Sequence, residues 1–147
     1  MQTMITLGAV PVRMSLAEYL RNVKGLMGTK LSCQEGGCGA CTVTLKRGSE
    51  IRQANACLRP VLSLDGWQVV TVEGLKNGTT YDPVQRKMAE CDGTQCGMCT
   101  PGMIMSIYGF LQKNKSPTKV EAESCIQGNR INWLIKPRQN PHGFRSN

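Results

Sequence analysis

The sequence predicts an α+β chain of about two small domains, with strands in its first half and helices in its second. A length of 147 residues has room for about two such domains. Short segments in which apolar and polar residues alternate, separated by turns that contain glycine, dominate the first half. Helix-capping patterns dominate the second half. We therefore expect a sheet-containing domain followed by a helical domain.

In the first half, the capping box Ser15-Leu16-Ala17-Glu18 predicts a helix that runs to about Val23. Three alternating segments are predicted as strands: 42–46, 51–54 and 68–72. Ile5–Leu7 and Val10–Arg13 could form a further hairpin before the helix. Alternatively, one strand is missing there, which would leave a sheet edge open.

The second half contains three helix signals, after a linker rich in Gly and Asn over residues 73–81. The predicted helices are 82–90, 101–113 and 118–128. Asp82-Pro83 starts the first, Thr100 is the expected N-cap of the second, and Thr118 begins a capping box for the third. The expected packing residues of this half are Met98, Met103, Met105, Tyr108 and Phe110.

Four cysteines carry the strongest functional signal: Cys33, Cys38, Cys41 and Cys57. The first three have the spacing C-x4-C-x2-C, which with a fourth cysteine downstream is typical of a plant-type [2Fe–2S] cluster. Glycines between them would let backbone N–H groups approach the sulfur atoms. Structural zinc prefers a second close pair or histidines, and the one histidine is His142 near the end of the chain. Disulfides are not expected, because the start of the chain lacks a secretory leader.

A second motif, Gln95-Cys96-Gly97-Met98-Cys99-Thr100-Pro101-Gly102, contains a C-x2-C pair. By itself this pair could be half of a zinc site, a redox dithiol or half of an iron–sulfur site. The predicted helix after Pro101 places the positive end of its dipole beside the two sulfur atoms, which favours thiolates or an anionic cluster.

Several motifs in the same order resemble the iron–sulfur segment of the molybdenum hydroxylases, the xanthine dehydrogenase and aldehyde oxidase family. The motifs are TKLSCQEGGCGACTV at Thr29–Val43, ANAC at Ala54–Cys57, VTVEG at Val70–Gly74 and GTQCGMCTPGMIMSIYGFL at Gly93–Leu111. This resemblance implies a ferredoxin-like β-grasp domain over residues 1–74, followed by a helical domain over 75–129. It also implies that Cys33, Cys38, Cys41 and Cys57 bind a first [2Fe–2S] cluster, and that Cys96 and Cys99 supply half of the ligands of a second.

The chain departs from the family pattern after Gly128-Asn129. The other two ligands of the second cluster would fall at Ile131 and Trp133, which cannot bind iron. The helical domain is therefore expected to be an incomplete four-helix domain, and we expect one cluster. The two remaining cysteines, Cys91 at a helix end and Cys125 in mid-helix, are expected to be small buried apolar residues.

Residues 130–147 are expected to form an unrelated, basic and disordered tail, which an alternative exon or read-through at a splice junction would explain. The net charge is +8, and the tail contributes four basic residues and no acidic one. Without interleaved aromatic residues, this charge does not indicate nucleic-acid binding. The sequence also contains no apolar run long enough to span a membrane, and a cytoplasmic location is expected.

The function expected from the sequence is one-electron transfer, as the iron–sulfur part of a molybdenum hydroxylase. In the complete enzymes of the family, FAD and molybdopterin bind to further domains or subunits, which would be the partners of this chain. A chain of this length has no room for either domain, so we expect a truncated form or a separate small subunit with an altered end. No residue is assigned to substrate hydroxylation, so the chain is a redox component without a catalytic site. The alternatives are a stand-alone single-cluster ferredoxin, a cysteine-rich zinc or interaction module, and a non-functional fragment.

Overall fold

The structure, a computed structural model, describes residues 10–126 and contains a small antiparallel sheet followed by helices. The strands are β1 Thr42–Arg47, β2 Glu50–Asn55 and β3 Gln68–Val70. β1 lies between β2 and β3 and pairs antiparallel with both. The three predicted strands are confirmed, although the third ends at Val70 because Val72–Leu75 form a 3₁₀ turn. The molecule is therefore α+β, as predicted.

The first helix begins at the predicted capping box. Helix α1, Leu16–Glu18, continues directly into a π-helical segment, Tyr19–Val23. The Ser15 hydroxyl accepts a hydrogen bond from the Glu18 amide at 3.2 Å, and the Glu18 carboxylate accepts one from the Ser15 amide at 2.8 Å. These reciprocal bonds satisfy amide groups that a helix start leaves without partners.

Val10–Arg13 do not form the strand that one of the two alternatives placed there. The amide of Met14 donates to the carbonyl of Pro11 at 3.0 Å, which closes a turn, and Pro11 has no N–H to donate to a sheet. Ile5–Leu7, the other half of the predicted hairpin, lies outside the described residues.

The second half contains three helices: α2 Pro83–Glu90, α3 Thr100–Lys113 and α4 Lys119–Ser124. The Asp82 start of α2 and the Thr118 capping box of α4 are confirmed. Thr100 is not the N-cap of α3: it lies inside the helix, Cys99 is the N-cap, and the Thr100 hydroxyl is hydrogen-bonded to that of Thr94 at 2.6 Å. The third helix is also shorter than predicted, because α4 ends at Ser124 and not at Gly128.

Helix α3 packs across the sheet and against the loop that precedes β1. Met103 and Met105 are buried in this contact, with 3% and 1% of their surface exposed, which confirms two of the predicted packing residues. Met98 was predicted to pack with them, but 38% of its surface is exposed, because it lies before the helix begins. The remaining core lies under α1 and the sheet: Leu16, Ala17, Leu20, Val43, Leu45, Ala56, Val61 and Leu64.

The 3₁₀ turn Val72–Leu75, where the predicted linker begins, is attached to both halves of the chain. Glu73 accepts a hydrogen bond from the Gly28 amide at 2.6 Å, and the carbonyl of Val72 accepts one from the Gln85 side chain at 2.9 Å. The segment therefore holds α2 and the cysteine loop in place. Among the helices of residues 10–126, none is long and apolar enough to cross a bilayer.

Candidate metal centre

Three of the candidate ligands lie in the loop before β1, and the fourth follows β2. Cys33, Cys38 and Cys41 precede the start of β1 at Thr42, and Cys57 lies just beyond the end of β2 at Asn55. Thr42 pairs with Asn55, and the Ala56 amide donates to the carbonyl of Cys41 at 3.2 Å. The hairpin thus brings Cys57 back to the cysteine loop, although it is distant from the loop in sequence.

The loop wraps its backbone around the sulfur of Cys33. Gln34, Gly36 and Gly39 have positive φ angles of 57°, 78° and 67°. Only glycine adopts this region without strain, so Gln34 is an unusual residue there. This path turns amide groups toward the sulfur, and the Glu35 amide donates to it at 3.4 Å. These hydrogen bonds, from Glu35 first, lower the pKa of Cys33 to about 7.

The four thiols interact as two pairs. The side chain of Cys33 contacts that of Cys38, and the side chain of Cys41 contacts that of Cys57. Burial, and after it the neighbouring thiols of Cys57 and Cys38, raise the pKa of Cys41 to about 11. Buried thiols this close repel one another as thiolates, so a positively charged group between them would be stabilising.

The arrangement in pairs is compatible with a binuclear cluster. A [2Fe–2S] cluster takes four cysteines for two irons, so two adjacent pairs suit it. The donor set at Cys33, Cys38, Cys41 and Cys57 therefore fits this group, which would supply one-electron redox chemistry when bound.

Two polar side chains that sequence reasoning did not assign hold the loop. The Asn55 amide group donates to the carbonyl of Gly36 at 2.8 Å. The Arg21 guanidinium donates to the carbonyls of Met27 and Thr29 at 3.2 and 2.9 Å. The role of Asn55 could have been predicted from its position two residues before Cys57, because asparagine side chains often hydrogen-bond to backbone groups. No feature of the sequence around Arg21 indicated its role.

Helix α3 closes the other side of this loop. A Cβ atom on Gly102, in the first turn of α3, would clash with the carbonyl oxygen of Gly39 and lie 3.0 Å from the Cα of Ala40. Both neighbours are backbone atoms, so only glycine allows α3 to lie this close to the loop. The motif that contains Cys96 and Cys99 is thereby held near the first group of cysteines.

The C-x2-C pair lies at the start of α3. Cys99 is its N-cap and is buried, whereas Cys96 is exposed. Gly97 between them has a φ of 78°. Cys96 lines an open cleft of about 390 Å³ whose other lining residues are Arg21, Met27, Lys30, Leu31, Gly97 and Met98.

The two remaining cysteines lie apart from this pair. Cys91 caps the C-terminus of α2, as predicted, but it is exposed and not buried. Cys125 caps the C-terminus of α4 and does not lie in mid-helix; it is half-buried, and burial raises its pKa. It lines a separate cleft of about 240 Å³ beside Gly36 and Gly39.

The donors at the second motif do not fit a second [2Fe–2S] cluster. Within residues 10–126, no third Cys, His, Asp or Glu joins Cys96 and Cys99, whereas such a cluster needs four ligands. Ile131 and Trp133, where the resemblance places the missing ligands, lie outside the described residues, and the sequence has no cysteine after Cys125.

Comparison with known proteins identifies two iron–sulfur domain families in this chain. Residues 3–65 match the family model of the 2Fe-2S iron-sulfur cluster binding domain, and residues 71–131 match that of the [2Fe-2S] binding domain. The chain therefore belongs to the class of [2Fe–2S]-binding proteins.

Curated relatives and solved structures define the family more narrowly. The chain is 46% identical to xanthine dehydrogenase/oxidase of Mus musculus and 48% identical to aldehyde oxidase of Homo sapiens, each over 121 residues. These matches cover 78% of this chain and 9% of each relative. The quinoline 2-oxidoreductase structure from Pseudomonas putida 86 has a TM-score of 0.74 at 35% identity, covering 82% of this chain and 72% of that one. Aldehyde oxidoreductase from Desulfovibrio gigas has a TM-score of 0.73 at 34% identity, with coverage of 82% and 13%.

These matches confirm the resemblance drawn from the cysteine motifs. The chain belongs to the xanthine dehydrogenase and aldehyde oxidase family, the molybdenum hydroxylases, and corresponds to its iron–sulfur segment.

Proposed function

We propose that this chain transfers single electrons through one [2Fe–2S] cluster bound by Cys33, Cys38, Cys41 and Cys57, as the iron–sulfur part of a molybdenum hydroxylase. The observation that carries the proposal is the arrangement of these thiols in two contacting pairs, with backbone amides directed at Cys33. Amide hydrogen bonds to a cluster sulfur stabilise the anionic cluster and tune its potential. No residue of this chain is proposed to react with a substrate.

The proposed domain division follows the two halves of the structure. Residues 1–74 would form a ferredoxin-like β-grasp domain, of which the described part supplies α1 and the three-stranded sheet. Residues 75–129 would form an incomplete four-helix domain, of which α2, α3 and α4 are described. Residues 130–147 are proposed to be a basic tail whose sequence is unrelated to either domain.

The proposed partners are flavin and molybdopterin domains or subunits. Support comes from the length of the relatives, since the chain spans 9% of the mouse and human proteins. In such an assembly, electrons would pass from molybdenum through the iron–sulfur part to FAD. We also propose a cytoplasmic location, which the eight free cysteines support because thiols persist in reducing compartments.

Iron analysis of single-cysteine variants tests the cluster assignment. The protein purified without oxygen should contain about two irons and two acid-labile sulfides per chain and show the visible absorption of a [2Fe–2S] cluster. Cys38→Ser should lose nearly all of both, because a serine hydroxyl is a poor ligand for iron in place of a thiolate.

Cys91→Ser is the matched control, since Cys91 is exposed at the C-terminus of α2. This variant should keep the full iron content. If the spectrum survives serine at each of positions 33, 38, 41 and 57, the assignment is wrong. Zinc without sulfide would indicate the zinc module instead, and about four irons per chain would show that a second cluster forms.

A further inference from the structure

Asn55 holds one particular peptide group of the cysteine loop, the one between Gly36 and Gly37. Its side-chain amide donates to the carbonyl oxygen of Gly36 at 2.8 Å. The N–H of the same peptide group belongs to Gly37, and it donates to the sulfur of Cys33. In a planar trans peptide the C=O and the N–H point in opposite directions, and no peptide bond of the described residues is cis. Asn55 thus holds the oxygen on one side, and the N–H faces the thiol on the other.

The backbone at this point does not by itself select that orientation. Gly36 and Gly37 have no side chains, so the peptide group between them rotates with little steric resistance. Within the described residues, no atom lies within 4 Å of the position that a Cβ on Gly37 would take. A flipped peptide would direct its carbonyl oxygen, and not its N–H, at the sulfur. The hydrogen bond from Asn55 therefore favours the observed orientation over the flipped one.

Asn55 is itself fixed on the sheet. It ends β2 and pairs with Thr42 at the start of β1, and its carbonyl accepts a hydrogen bond from the Leu58 amide at 3.1 Å. A Cβ on Gly36 would lie 2.6 Å from the Leu58 Cδ1 atom and 3.4 Å from the Asn55 Nδ2 atom, so both side chains lie over Gly36. Leu58 limits the access of water to the hydrogen bond there, which strengthens it. A donor on a strand holds its position more precisely than a donor on a loop.

We propose that Asn55 is a positioning residue that raises the reduction potential of the first cluster, by holding the Gly37 N–H toward the Cys33 sulfur. This rests on the proposed function, in which Cys33 is a cluster ligand. One-electron reduction adds negative charge to the cluster and its sulfur ligands, and no bond to Asn55 forms or breaks. A hydrogen bond to a ligand sulfur stabilises the reduced form more than the oxidised form, so its loss should lower the potential.

Redox titration of the cluster-loaded full-length protein tests this proposal. Dithionite supplies the electron without oxygen, and the paramagnetic signal of the reduced cluster reports the reduced fraction. Asn55→Leu keeps a side chain of similar size without a donor. At the potential that half-reduces the unchanged protein, its ratio of reduced to oxidised cluster should fall by about 2- to 10-fold, the equilibrium effect of one hydrogen bond. Its iron content should stay at about two per chain, because no ligand is changed.

Gln53→Leu is the matched control, because it makes the same change earlier in β2. The Gln53 side-chain amide donates to the carbonyls of Met105 and Ser106 in α3, outside the cysteine loop. This variant should lose stability and keep its reduction potential, whereas a purely structural role of Asn55 would give both variants the same result. Asn55→Gln keeps a donor and should shift the potential less than Asn55→Leu.

An unchanged potential in Asn55→Leu would overturn the proposal, and so would equal shifts in Asn55→Leu and Gln53→Leu. Equal shifts in Asn55→Gln and Asn55→Leu would overturn it as well, since the donor would then have no effect. Loss of iron from Asn55→Leu would also contradict it, because Asn55 would then be needed for cluster binding and not for the potential. None of these results decides which cysteines bind the cluster, which Cys38→Ser tests separately.

Discussion

Cys33 and Cys41 show how strongly local surroundings act at the scale of single residues. Both lie in the loop before β1 and have the same intrinsic chemistry. Amide hydrogen bonds lower the pKa of Cys33 to about 7, whereas burial raises that of Cys41 to about 11. The thiolate is the nucleophile in alkylation, so the two residues should differ in reactivity whenever the loop holds its shape.

Alkylation of the cluster-free protein with iodoacetamide should therefore separate these two cysteines. Half-maximal modification of Cys33 is expected near pH 7, because a lowered pKa leaves the thiolate present above that pH and protonated below it. Cys41 should stay largely unmodified up to about pH 9, where its thiol remains protonated. Mass spectrometry of proteolytic peptides measures both sites across the pH series.

Denatured protein is the control, since both cysteines should then titrate together near the ordinary value of about 8.5. If the two cysteines also titrate together in native buffer, the loop loses its amide contacts when the cluster is absent.

At the scale of elements, the contact between α3 and the cysteine loop joins the two halves of the chain. Gly102 lies against the backbone of Gly39 and Ala40. Gly109, further along the same helix, faces the side chains of Gln53 and Thr44. Side chains can move aside more easily than the backbone of the cysteine loop, so the two glycines should differ in their tolerance of a methyl group.

Gly102→Ala should destabilise the protein by about 1–3 kcal/mol, the usual range for overpacking, and should lower its iron content. Gly109→Ala is the matched variant on the same helix, with the same gain in helix propensity, and should cost less and keep its iron. Thermal unfolding and iron analysis of both variants measure the difference. If Gly109→Ala is the more damaging of the two, α3 does not pack most tightly against the cysteine loop.

At the scale of the whole molecule, a cluster bound by the four cysteines would tie together elements that are otherwise held by a small core. The described sheet has three strands, and the fully buried side chains of the N-terminal half are few and mostly small or medium in size. Small domains bury a limited fraction of their surface, so their stability often depends on metals or other cross-links. Metal binding adds to folding free energy when the site does not exist in the unfolded chain.

Removal of the cluster should therefore lower the melting temperature by more than about 10 °C, since about 2 kcal/mol already shifts a small domain by that much. Circular dichroism of the protein before and after anaerobic chelation measures the change. Reconstitution with iron and sulfide should restore the original value, which controls for chemical damage. Equal melting temperatures with and without iron would show that the cluster contributes nothing to folding.

The sequence by itself determined the class of the fold, the capping boxes at Ser15 and Thr118, the helix start at Asp82, and the cysteine motifs that identify the family. These features depend on residues close together in the chain, where a capping hydrogen bond or a ligand spacing is set by local geometry. The same local reasoning left Val10–Arg13 undecided between a strand and none, and a turn at Pro11 forms there. It failed for Thr100, which bonds to Thr94 and does not cap α3.

Only the tertiary structure decided how these pieces meet. The pairing of β1 with β2 brings Cys57 to Cys41, the close approach at Gly102 brings α3 to the loop, and Arg21 reaches the loop from the π-helical segment. The exposure of Met98 and the separation of Cys125 from Cys96 were likewise not visible in the sequence. Each of these depends on residues far apart in the chain, whose contacts follow from the packing of whole elements and not from local preference.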